Sequence, residues 1–432
     1  MSGEQELEQV IRTLVETAFE AIDPTRLVSE YLDQREEAIT PRGKLVLVAV
    51  GKAAVGMTRG ARAALGERIS DGVVIAPAEP KFEGLRCFAG GHPYPNETGR
   101  AGARAALELA HALGRDDALL ALLSGGGSAM ATLPFQGIPV DDLAAVTRIL
   151  SDAGADVVDL NTVRKQLDQL KGGRLAQAAE PAHVIGLVIS DVVDDRLDLI
   201  ASGPLTPARG TFEEAIEVLE RRGLWARIPR SVRTHLEGGR DGELPPPPGE
   251  SDTCFRQVEM HVVGNDATAI EAMRDRAHQM GHRVLVQGTP ITGEAREAGA
   301  AIGRMARSIR ERRTPVPPPV CLLSAGETAV TVRGRGLGGR NQELALAAAI
   351  EMDGLEGVCL ASLGTDGVDG PTDAAGAIAT GETLARAREE GLDAAAALQD
   401  NDSHRFFAAL GDLIRTGPSG TNVADLQILI VS

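Results

Sequence analysis

A short glycine run between an apolar segment and a helix start is the stretch of this sequence best suited to bind an anion. The run is Ser124-Gly125-Gly126-Gly127-Ser128, and residues 118–123 before it are typical of a buried strand. Glycines at such a turn leave backbone N–H groups free to approach an oxyanion, which the helix dipole also favours. The residues alone leave two interpretations open: a phosphate or carboxylate site, and a tight turn that binds nothing.

Most of the other apolar, strand-like segments also end in small or polar residues. In open α/β sheets, ligands bind beyond the carboxyl ends of the strands. One polar strand end would be unremarkable, but a whole series of them favours a single solvent-filled cleft. The polar strand ends are Gly51-Lys52, Ser124 to Ser128, Ser190-Asp191, Asn265-Asp266, Ser324 to Glu327 and Thr365-Asp366.

One of these strand ends carries a lysine that could serve phosphate chemistry. Lys52 follows a strand and a single glycine, where its ammonium could bind a phosphate as a point charge. A solvated surface lysine is the alternative. The sequence contains no G-x-x-x-x-G-K-[ST], so the chain is not a P-loop nucleotidase, and it has no G-x-S-x-G or H-E-x-x-H motif.

Carboxylates gather at two further strand ends. Residues 364–373 form a glycine-rich turn that contains Asp366, Asp369 and Asp373. Together with Asp191, Asp194 and Asp195, these side chains could hold a hard divalent cation such as Mg2+. The alternative is that the aspartates form turns and cap helices, and we expect this of at least one of Asp369 and Asp373.

A second glycine loop matches the dinucleotide fingerprint in part. Gly334, Gly336 and Gly339 satisfy G-x-G-x-x-G between a predicted strand and a predicted helix. The acidic residue expected about 20 positions later is absent, and the loop carries more arginine, including Arg340, than a pyrophosphate turn requires. Several arginines beside flexible backbone suit a carboxylate and a polyphosphate. A solvated loop that binds nothing is the alternative.

Composition and charge exclude several classes of protein. The chain has 432 residues, of which 43% are hydrophobic, and a formal net charge of −17. Such a charge repels nucleic acids and anionic membranes, although it allows a small anion in a locally basic cleft. We find no signal peptide and no apolar run long enough to cross a bilayer, and the four cysteines lack C-x-x-C spacing. A cytoplasmic location with reduced thiols is therefore expected.

The order of the elements predicts an α/β protein. Strands alternate with helices up to the strand 184–189, which favours a parallel sheet with helices on both faces, while closely spaced strands in the second half favour a mixed sheet. The proline run 245–248 is the best boundary candidate. Other predicted elements are an N-terminal helix over 4–22, strands over 45–50, 72–76, 258–263, 320–323, 329–332, 358–363 and 427–431, and helices over 100–113, 140–153 and 341–351.

Seven motifs in order resemble those of the glycerate 2-kinases with a C-terminal MOFRL domain, which are often labelled hydroxypyruvate reductases. The resemblance runs from about Val48 to the C-terminus, and seven ordered motifs are far more specific than either glycine loop alone. The motifs are Leu123 to Ala129, Asn161 to Arg174, Ser190 to Pro204, Gly326-Glu327-Thr328, Gly338 to Glu343, Gly364 to Gly367 and Gly420 to Leu426.

The resemblance implies transfer of phosphate from ATP to D-glycerate, with Mg2+ as cofactor and 2-phosphoglycerate as product. It further implies a Rossmann-like α/β/α sandwich domain over residues 1–248 and a smaller mixed α/β domain over residues 256–432, with the active site in the cleft between them. In that family a lysine like Lys52 and an arginine like Arg340 line the cleft.

Roles for the site residues follow from the resemblance and from the needs of phosphoryl transfer, which are positioning and charge neutralisation. Backbone N–H groups of Ser124 to Ser128 would bind phosphate, and Lys52 and Arg340 would neutralise the transferring group or the glycerate carboxylate. Asp191 and Asp366 would orient the metal or accept the hydroxyl proton. The remaining candidates for substrate or phosphate binding are Lys165, Lys171, Asn265, Glu327 and Asn341.

Two other functions stay open at this point. The fingerprint at Gly334 to Gly339 motivates an NAD(P)H-dependent hydroxypyruvate reductase, which NADH oxidation in the absence of ATP would reveal. The third interpretation is a non-catalytic protein that binds phosphorylated metabolites. Small molecules are the expected partners, with neither nucleic acid nor membrane, and a homodimer is compatible with the sequence.

Overall fold

The computed structural model of the chain describes residues 3–35, 39 and 41–432, apart from the side chain of Val193. The chain forms two compact units. We call Pro24–Val263 the parallel-sheet domain, and Met1–Asp23 together with Gly264–Ser432 the mixed-sheet domain. The predicted fold class, a Rossmann-like α/β domain followed by a mixed α/β domain, is confirmed.

Sixteen α-helices and twelve strands are found among the described residues. The strands are β1 Leu45–Val50, β2 Ile69–Ala76, β3 Arg86–Ala89, β4 Ala118–Ser124, β5 His183–Ile189, β6 Val258–Gly264, β7 Arg283–Val286, β8 Val320–Gly326, β9 Val358–Gly364, β10 Gly376–Thr380, β11 Leu413–Ile414 and β12 Asp425–Val431. The helices are α1 Gly3–Ala21, α2 Pro24–Asp33, α3 Ala54–Leu65, α4 Glu97–His111, α5 Gly127–Met130, α6 Val140–Asp152, α7 Val157–Leu167, α8 Arg174–Ala179, α9 Phe212–Arg221, α10 Arg230–Arg240, α11 Asp266–Gln279, α12 Ala295–Arg307, α13 Arg340–Met352, α14 Thr383–Glu389, α15 Ala394–Gln399 and α16 Ser403–Leu410.

The parallel-sheet domain is built on six strands in the order β3-β2-β1-β4-β5-β6. The five strands from β3 to β5 in this order pair in parallel. Every residue of β1 and β4 is buried. Because successive side chains of a strand point to opposite faces, helices must cover both faces of the sheet, as the continuous apolar runs of these strands predict.

The mixed-sheet domain has strand order β11-β10-β9-β12-β8-β7. Only β7 and β8 pair in parallel, and the other neighbours are antiparallel. Helices α12 and α13 pack against each other and share a hydrophobic core with β9, β10 and β12. In the described part of the chain, no helix is long and apolar enough to cross a membrane.

The domain limits differ from the predicted ones at two points. The prediction placed residues 1–23 in the first domain, but α1 packs against α11 and β9 of the mixed-sheet domain. The prediction also placed the boundary near the proline run 245–248, whereas the parallel-sheet domain continues to Val263. The cause is β6, which follows the prolines and joins the parallel sheet as its edge strand.

Most predicted strands and helices are found within a few residues of their predicted limits, but the predicted strand 329–332 is not. Ala329 forms only an isolated bridge to Glu294, and Val332 is 72% exposed. The segment is apolar enough for a strand, yet no strand among the described residues forms a ladder with it.

The register of the parallel sheet gathers several polar strand ends at one edge. Val50 at the end of β1 pairs with Leu123 of β4, and Ser124 at the end of β4 pairs with Ile189 of β5. The order of the strands reverses between β1 and β4, which is where doubly wound sheets bind their ligands. The segments after β1, β4 and β5 are therefore neighbours at the expected ligand-binding edge.

A glycine at this edge should be irreplaceable, and this can be tested. Gly51 has a φ of +118°, and a Cβ there would lie against Ser124 Oγ and 2.6 Å from the Ser124 carbonyl oxygen. We expect Gly51→Ala to lower the free energy of unfolding by about 2–5 kcal/mol, because strain and overpacking add. Thermal and urea unfolding would measure this change.

Gly66 supplies the matched control. It also has a positive φ, of +56°, but no atom lies within 4 Å of the position that a Cβ would take. Gly66→Ala should therefore show only the backbone strain, about 1–3 kcal/mol. Equal losses in the two variants would contradict the close approach of Gly51 to β4.

Candidate active site

Ser124 joins the segments that follow β1 and β4. Its Oγ donates to the Val50 carbonyl oxygen at 3.3 Å and accepts the Ala53 N–H at 3.0 Å, and the side chain is fully buried. The Lys52 N–H donates to the Gly125 carbonyl oxygen at 2.9 Å. The hydroxyl of Ser124 therefore fixes the position of the glycine run and is itself committed to backbone partners.

The glycine run itself keeps its donors unused. Among the described residues, the backbone N–H groups of Gly125, Gly126, Gly127 and Ser128 donate to no protein acceptor. Gly126 has a φ of +80°, which turns the chain sharply after β4. Four adjacent donors at the ligand-binding edge of a parallel sheet form a suitable cradle for an oxyanion.

Two side chains flank the middle of this run. The position that a Cβ would take on Gly126 lies 3.2 Å from His92 Cδ2 and 3.4 Å from Lys52 Cγ. The aliphatic stem of Lys52 thus lies against the run, with its ammonium within reach of an anion bound there. His92 had no predicted role in the site, and only its place in the sequence Gly91-His92-Pro93 distinguished it.

Asp191 follows β5 at the same edge of the sheet and is partly buried. The segment after it is strained, because four residues other than glycine have a positive φ: Asp194, Asp195, Ala201 and Ser202. Ser202 Oγ lies 2.8 Å from Ser128 Oγ and donates to it, so the strained segment supports the end of the glycine run. Backbone strain of this kind is maintained only when the surrounding structure imposes it.

Lys171, a predicted phosphate ligand, is occupied by the protein itself. Its Nζ donates to Asp168 Oδ2 at 2.6 Å, to the Ala131 carbonyl oxygen at 2.9 Å and to Thr132 Oγ1 at 3.1 Å. The residue is 1% exposed, and burial lowers the pKa of its ammonium, although Asp168 opposes the shift. Because an ammonium has three N–H donors, Lys171 has none left for a ligand.

Lys165, the other predicted lysine of this motif, is also buried. Its Nζ lies 3.8 Å from Asp198 Oδ2, and desolvation lowers the pKa of the ammonium. Asp198 already accepts two hydrogen bonds from Arg196. Lys165 is therefore held by a long ion pair and keeps more donors than Lys171.

Arg340, the first residue of α13, is the centre of a charged cluster in the mixed-sheet domain. Its Nε and Nη2 donate to the two carboxylate oxygens of Asp425 at 2.6 and 2.9 Å, and its Nη1 donates to Glu327 at 2.6 Å. Burial lowers the pKa of the guanidinium, whereas the hydrogen bonds to Asp425 and the charge of that carboxylate raise it. The net shift of the pKa is upward. Two of the five N–H donors stay available.

Asp425 was not predicted as a site residue, yet it fixes Arg340. It begins β12 and pairs with Gly326 of β8 and with Gly364 of β9, so it lies where those two strands end. Burial raises the pKa of its carboxyl to about 6, against the opposing effect of Arg340. The position that a Cβ would take on Gly364 lies 3.4 Å from one carboxylate oxygen each of Asp366 and Asp425, so the predicted Asp366 adjoins this cluster.

Asn341 lies beside Arg340 but is directed into the protein. It is 1% exposed, and its Oδ1 accepts a hydrogen bond from Ser362 Oγ at 2.6 Å. Asp369 accepts hydrogen bonds from the backbone N–H groups of Asn341 and Gln342, at 3.0 and 2.9 Å, and so caps α13. The expectation that Asp369 or Asp373 has such a role is met by Asp369.

Asn265 acts as a helix cap. Its Oδ1 accepts the Thr268 N–H at 3.1 Å, and Thr268 Oγ1 accepts the Asn265 N–H at 3.2 Å, which forms a capping box at the start of α11. Asparagine directly before a helix commonly has this role.

The second glycine loop is occupied by an acidic segment of the same domain. The N–H groups of residues 333–337 donate to residues 400–402. Asn401 Oδ1 accepts two of these bonds, and carboxylate oxygens of Asp400 and Asp402 accept one each, at 2.9 and 2.8 Å. These acceptors take the donors that a pyrophosphate would need, so the G-x-G-x-x-G here is a structural turn.

The metal prediction has only partial geometric support. No group of three or more His, Cys, Asp or Glu side chains within the described ranges could hold a metal ion by itself. Mg2+ is commonly bound by one or two carboxylates plus substrate phosphates, without a cage of protein ligands. Single carboxylates at strand ends, such as Asp191 and Asp366, fit that mode of binding.

Comparisons with known proteins identify the family. A model described as a domain of unknown function, DUF4147, matches residues 10–237, and the model of the MOFRL family matches residues 320–425. A D-glycerate 2-kinase of Thermotoga maritima is 39% identical over 434 residues, which cover 100% of both chains. A glycerate 2-kinase of Pyrococcus horikoshii is 37% identical and covers 97% of this chain and 96% of its own.

A solved structure extends the similarity to the whole fold. The crystal structure of a glycerate kinase from Thermotoga maritima superimposes with a TM-score of 0.88 at 39% sequence identity, over 99% of this chain and 100% of the other. Similarity of this extent in sequence and structure shows that the chain belongs to the glycerate 2-kinase family with a C-terminal MOFRL domain.

Proposed function

We propose that the chain transfers the γ-phosphoryl group of ATP to the 2-hydroxyl of D-glycerate and releases 2-phosphoglycerate. Full-length relatives named as glycerate 2-kinases support the reaction. The observation in the molecule that carries the proposal is the row of four unused N–H groups from Gly125 to Ser128, with Lys52 beside it. Phosphoryl transfer depends on positioned donors and positive charge, and this row provides both.

Each domain carries groups that suit phosphoryl transfer. In the parallel-sheet domain, the N–H groups of the glycine run bind phosphate oxygens, and Lys52 neutralises their charge. In the mixed-sheet domain, Arg340 contributes positive charge through its two available donors, and Asp425 and Glu327 fix its orientation. A guanidinium held by a bidentate pair needs little reorganisation when a negative charge develops.

Asp191 and Asp366 are the proposed carboxylates for the metal and for the hydroxyl proton. Mg2+ would supply neutralisation of the phosphate charge. One of the two aspartates would hold the metal through its single carboxylate, which suits an ion that arrives with the nucleotide. The carboxylate that does not bind the metal would orient the substrate hydroxyl and accept its proton.

A nicotinamide-dependent reductase is not favoured. That alternative depended on the G-x-G-x-x-G loop, whose N–H groups are bonded to residues 400–402. A homodimer and a cytoplasmic location stay predictions, which sedimentation equilibrium and cell fractionation would test.

The decisive experiment for the function is a coupled assay of ADP formation with D-glycerate. Phosphorus NMR of the product distinguishes the 2-phosphate from the 3-phosphate. We expect 2-phosphoglycerate, with no NADH oxidation when hydroxypyruvate is supplied without ATP. Hydroxypyruvate-dependent NADH oxidation, or binding of D-glycerate without turnover, would contradict the proposal.

Loss of either cation should abolish most of the activity. We expect Lys52→Met and Arg340→Ala each to lower kcat by about 100- to 10,000-fold, because each removes positive charge from developing phosphate charge. Initial rates at saturating ATP and D-glycerate would measure this.

Two exposed cations serve as controls. Lys81→Met removes an exposed lysine, and Arg304→Ala removes an exposed arginine that is paired with Glu351 at 3.1 Å. Both controls should retain near-normal kcat. Near-normal kcat in Lys52→Met or Arg340→Ala would remove that residue from the mechanism.

Asp425 should impose a pH dependence on activity. Burial raises the pKa of its carboxyl to about 6, above the value of about 3.9 in an unfolded chain. Protonation therefore stabilises the folded domain, and this stabilisation is lost as pH rises through 6. Activity should change in the opposite direction, because a neutral acid cannot hold Arg340 through two charged bonds. We expect kcat/KM to fall as pH drops below about 6.

The variant Asp425→Asn tests whether protonation of Asp425 causes the loss of activity at low pH. Its kcat/KM should be about 10- to 100-fold lower at pH 8, consistent with the loss of charged hydrogen bonds, and the acid limb near pH 6 should disappear. The matched control is Asp412→Asn, which removes a second part-buried carboxylate with a bidentate arginine, Arg386. An unchanged acid limb in Asp425→Asn would assign the titration to another group.

A further inference from the structure

A small polar cavity adjoins the end of the glycine run. Its volume is about 10 Å³, which is room for one water-sized atom. The polar residues that line it are Ser128, Thr132, Thr147, Arg164 and Lys171. Arg164 lies in the last turn of α7, in the same motif as the buried lysines.

Arg164 differs from the other cations around it because no described residue forms a hydrogen bond or an ion pair with its guanidinium. Lys171 has three acceptors, Lys165 has Asp198, and Arg174 donates to the Lys165 carbonyl oxygen at 2.9 Å.

Asp168 is the carboxylate whose charge acts on Arg164, and its oxygens already accept four hydrogen bonds from other groups. Asp168 accepts the Lys171 ammonium and the backbone N–H groups of Leu133, Leu170 and Lys171. Desolvation lowers the pKa of the Arg164 guanidinium, and the charge of Asp168 opposes the shift only in part. A partly buried cation without a counter-ion is costly in free energy, and a bound anion would remove that cost.

We infer that Arg164 binds the carboxylate of the hydroxy-acid substrate, with one carboxylate oxygen entering the cavity beside Ser128. The inference rests on the proposed function and names a ligand-binding residue that the sequence motifs did not assign. A planar guanidinium matches a planar carboxylate through parallel N–H donors. The cavity has room for one oxygen atom.

The length of the substrate supports this placement. In D-glycerate the carboxylate and the 2-hydroxyl are on adjacent carbons, so a residue that binds the carboxylate must lie close to the transferred phosphate. Ser128 meets this condition, because its backbone N–H belongs to the unused row and its side chain lines the cavity of Arg164.

The test uses the full-length protein with Arg164 replaced by Met and by Lys. We expect Arg164→Met to raise KM for D-glycerate by about 10- to 100-fold, the effect of one charge-assisted interaction. KM for ATP should change by less than about 2-fold if the nucleotide makes no contact with this residue. Arg164→Lys should give an intermediate rise, since a lysine keeps the charge and loses the fork of donors.

The matched control is Arg148→Gln. Arg148 is exposed on the neighbouring helix α6, where its guanidinium lies 4.6 Å from the centre of the Tyr94 ring. The Arg148→Gln substitution removes one positive charge near the same cavity, and it should leave KM for D-glycerate and KM for ATP unchanged. Thermal unfolding identifies any variant that fails to fold. If Arg164→Met does not fold, the KM of Arg164→Lys for D-glycerate tests the assignment.

A second measurement separates binding of the carboxylate from a structural effect. D-Glyceramide lacks the negative charge, so wild-type protein should bind it about 10- to 100-fold more weakly than D-glycerate in calorimetry. Arg164→Met should bind the two compounds about equally. If wild-type protein binds D-glycerate but does not phosphorylate it, the proposed function fails and the carboxylate assignment stands.

Three results would overturn the assignment. One is an unchanged KM for D-glycerate in Arg164→Met. Another is a rise in KM for ATP alone, which would assign Arg164 to a nucleotide phosphate. The third is a persistent preference of Arg164→Met for D-glycerate over D-glyceramide.

Discussion

The hydrogen bonds of the Ser124 hydroxyl are the interactions on which the proposed phosphate-binding edge depends. It accepts the Ala53 N–H and donates to the Val50 carbonyl oxygen, so the ends of β1 and β4 share one buried group. Backbone groups that would otherwise compete for the glycine run are thereby satisfied. The contacts of Ser124 fix the position of the glycine run. Among the described residues, its four N–H groups have no acceptor, and they lie where the order of the strands reverses between β1 and β4.

The two glycine loops of this chain have similar sequences but differ in the acceptors of their backbone N–H groups. Both loops follow apolar segments and precede helices. The N–H groups of Gly125 to Ser128 have no acceptor within the described part of the chain, whereas those of residues 333–337 donate to Asp400, Asn401 and Asp402. An anion cannot compete easily with fixed carboxylates at bonding distance, since it would have to displace like charges. The internal acids therefore make the second loop a rigid support for Arg340.

The sequence was sufficient for the strand ends, because burial and strand direction are local properties. Apolar runs identified β1, β4 and β5, and parallel pairing then required Lys52, Ser124 and Asp191 to lie at one edge. Ion-pair partners could not be predicted in this way. Asp425 is 85 positions from Arg340, and only the antiparallel register of β12 brings them together. For Lys171 the sequence gave the cation but not the three acceptors that bury it.

The distribution of acids therefore determines which cations can act on a ligand. A chain with a net charge of −17 has enough carboxylates to pair most of its lysines and arginines. Lys171 is fully paired, Arg340 is paired but keeps two donors, and Arg164 has no partner within the described residues. Pairing stabilises a buried cation and fixes its orientation, while an unpaired one leaves free energy to be gained from an anion. The cations proposed to bind anionic groups, Arg340 and Arg164, are accordingly ones that keep N–H donors beyond those used by the protein.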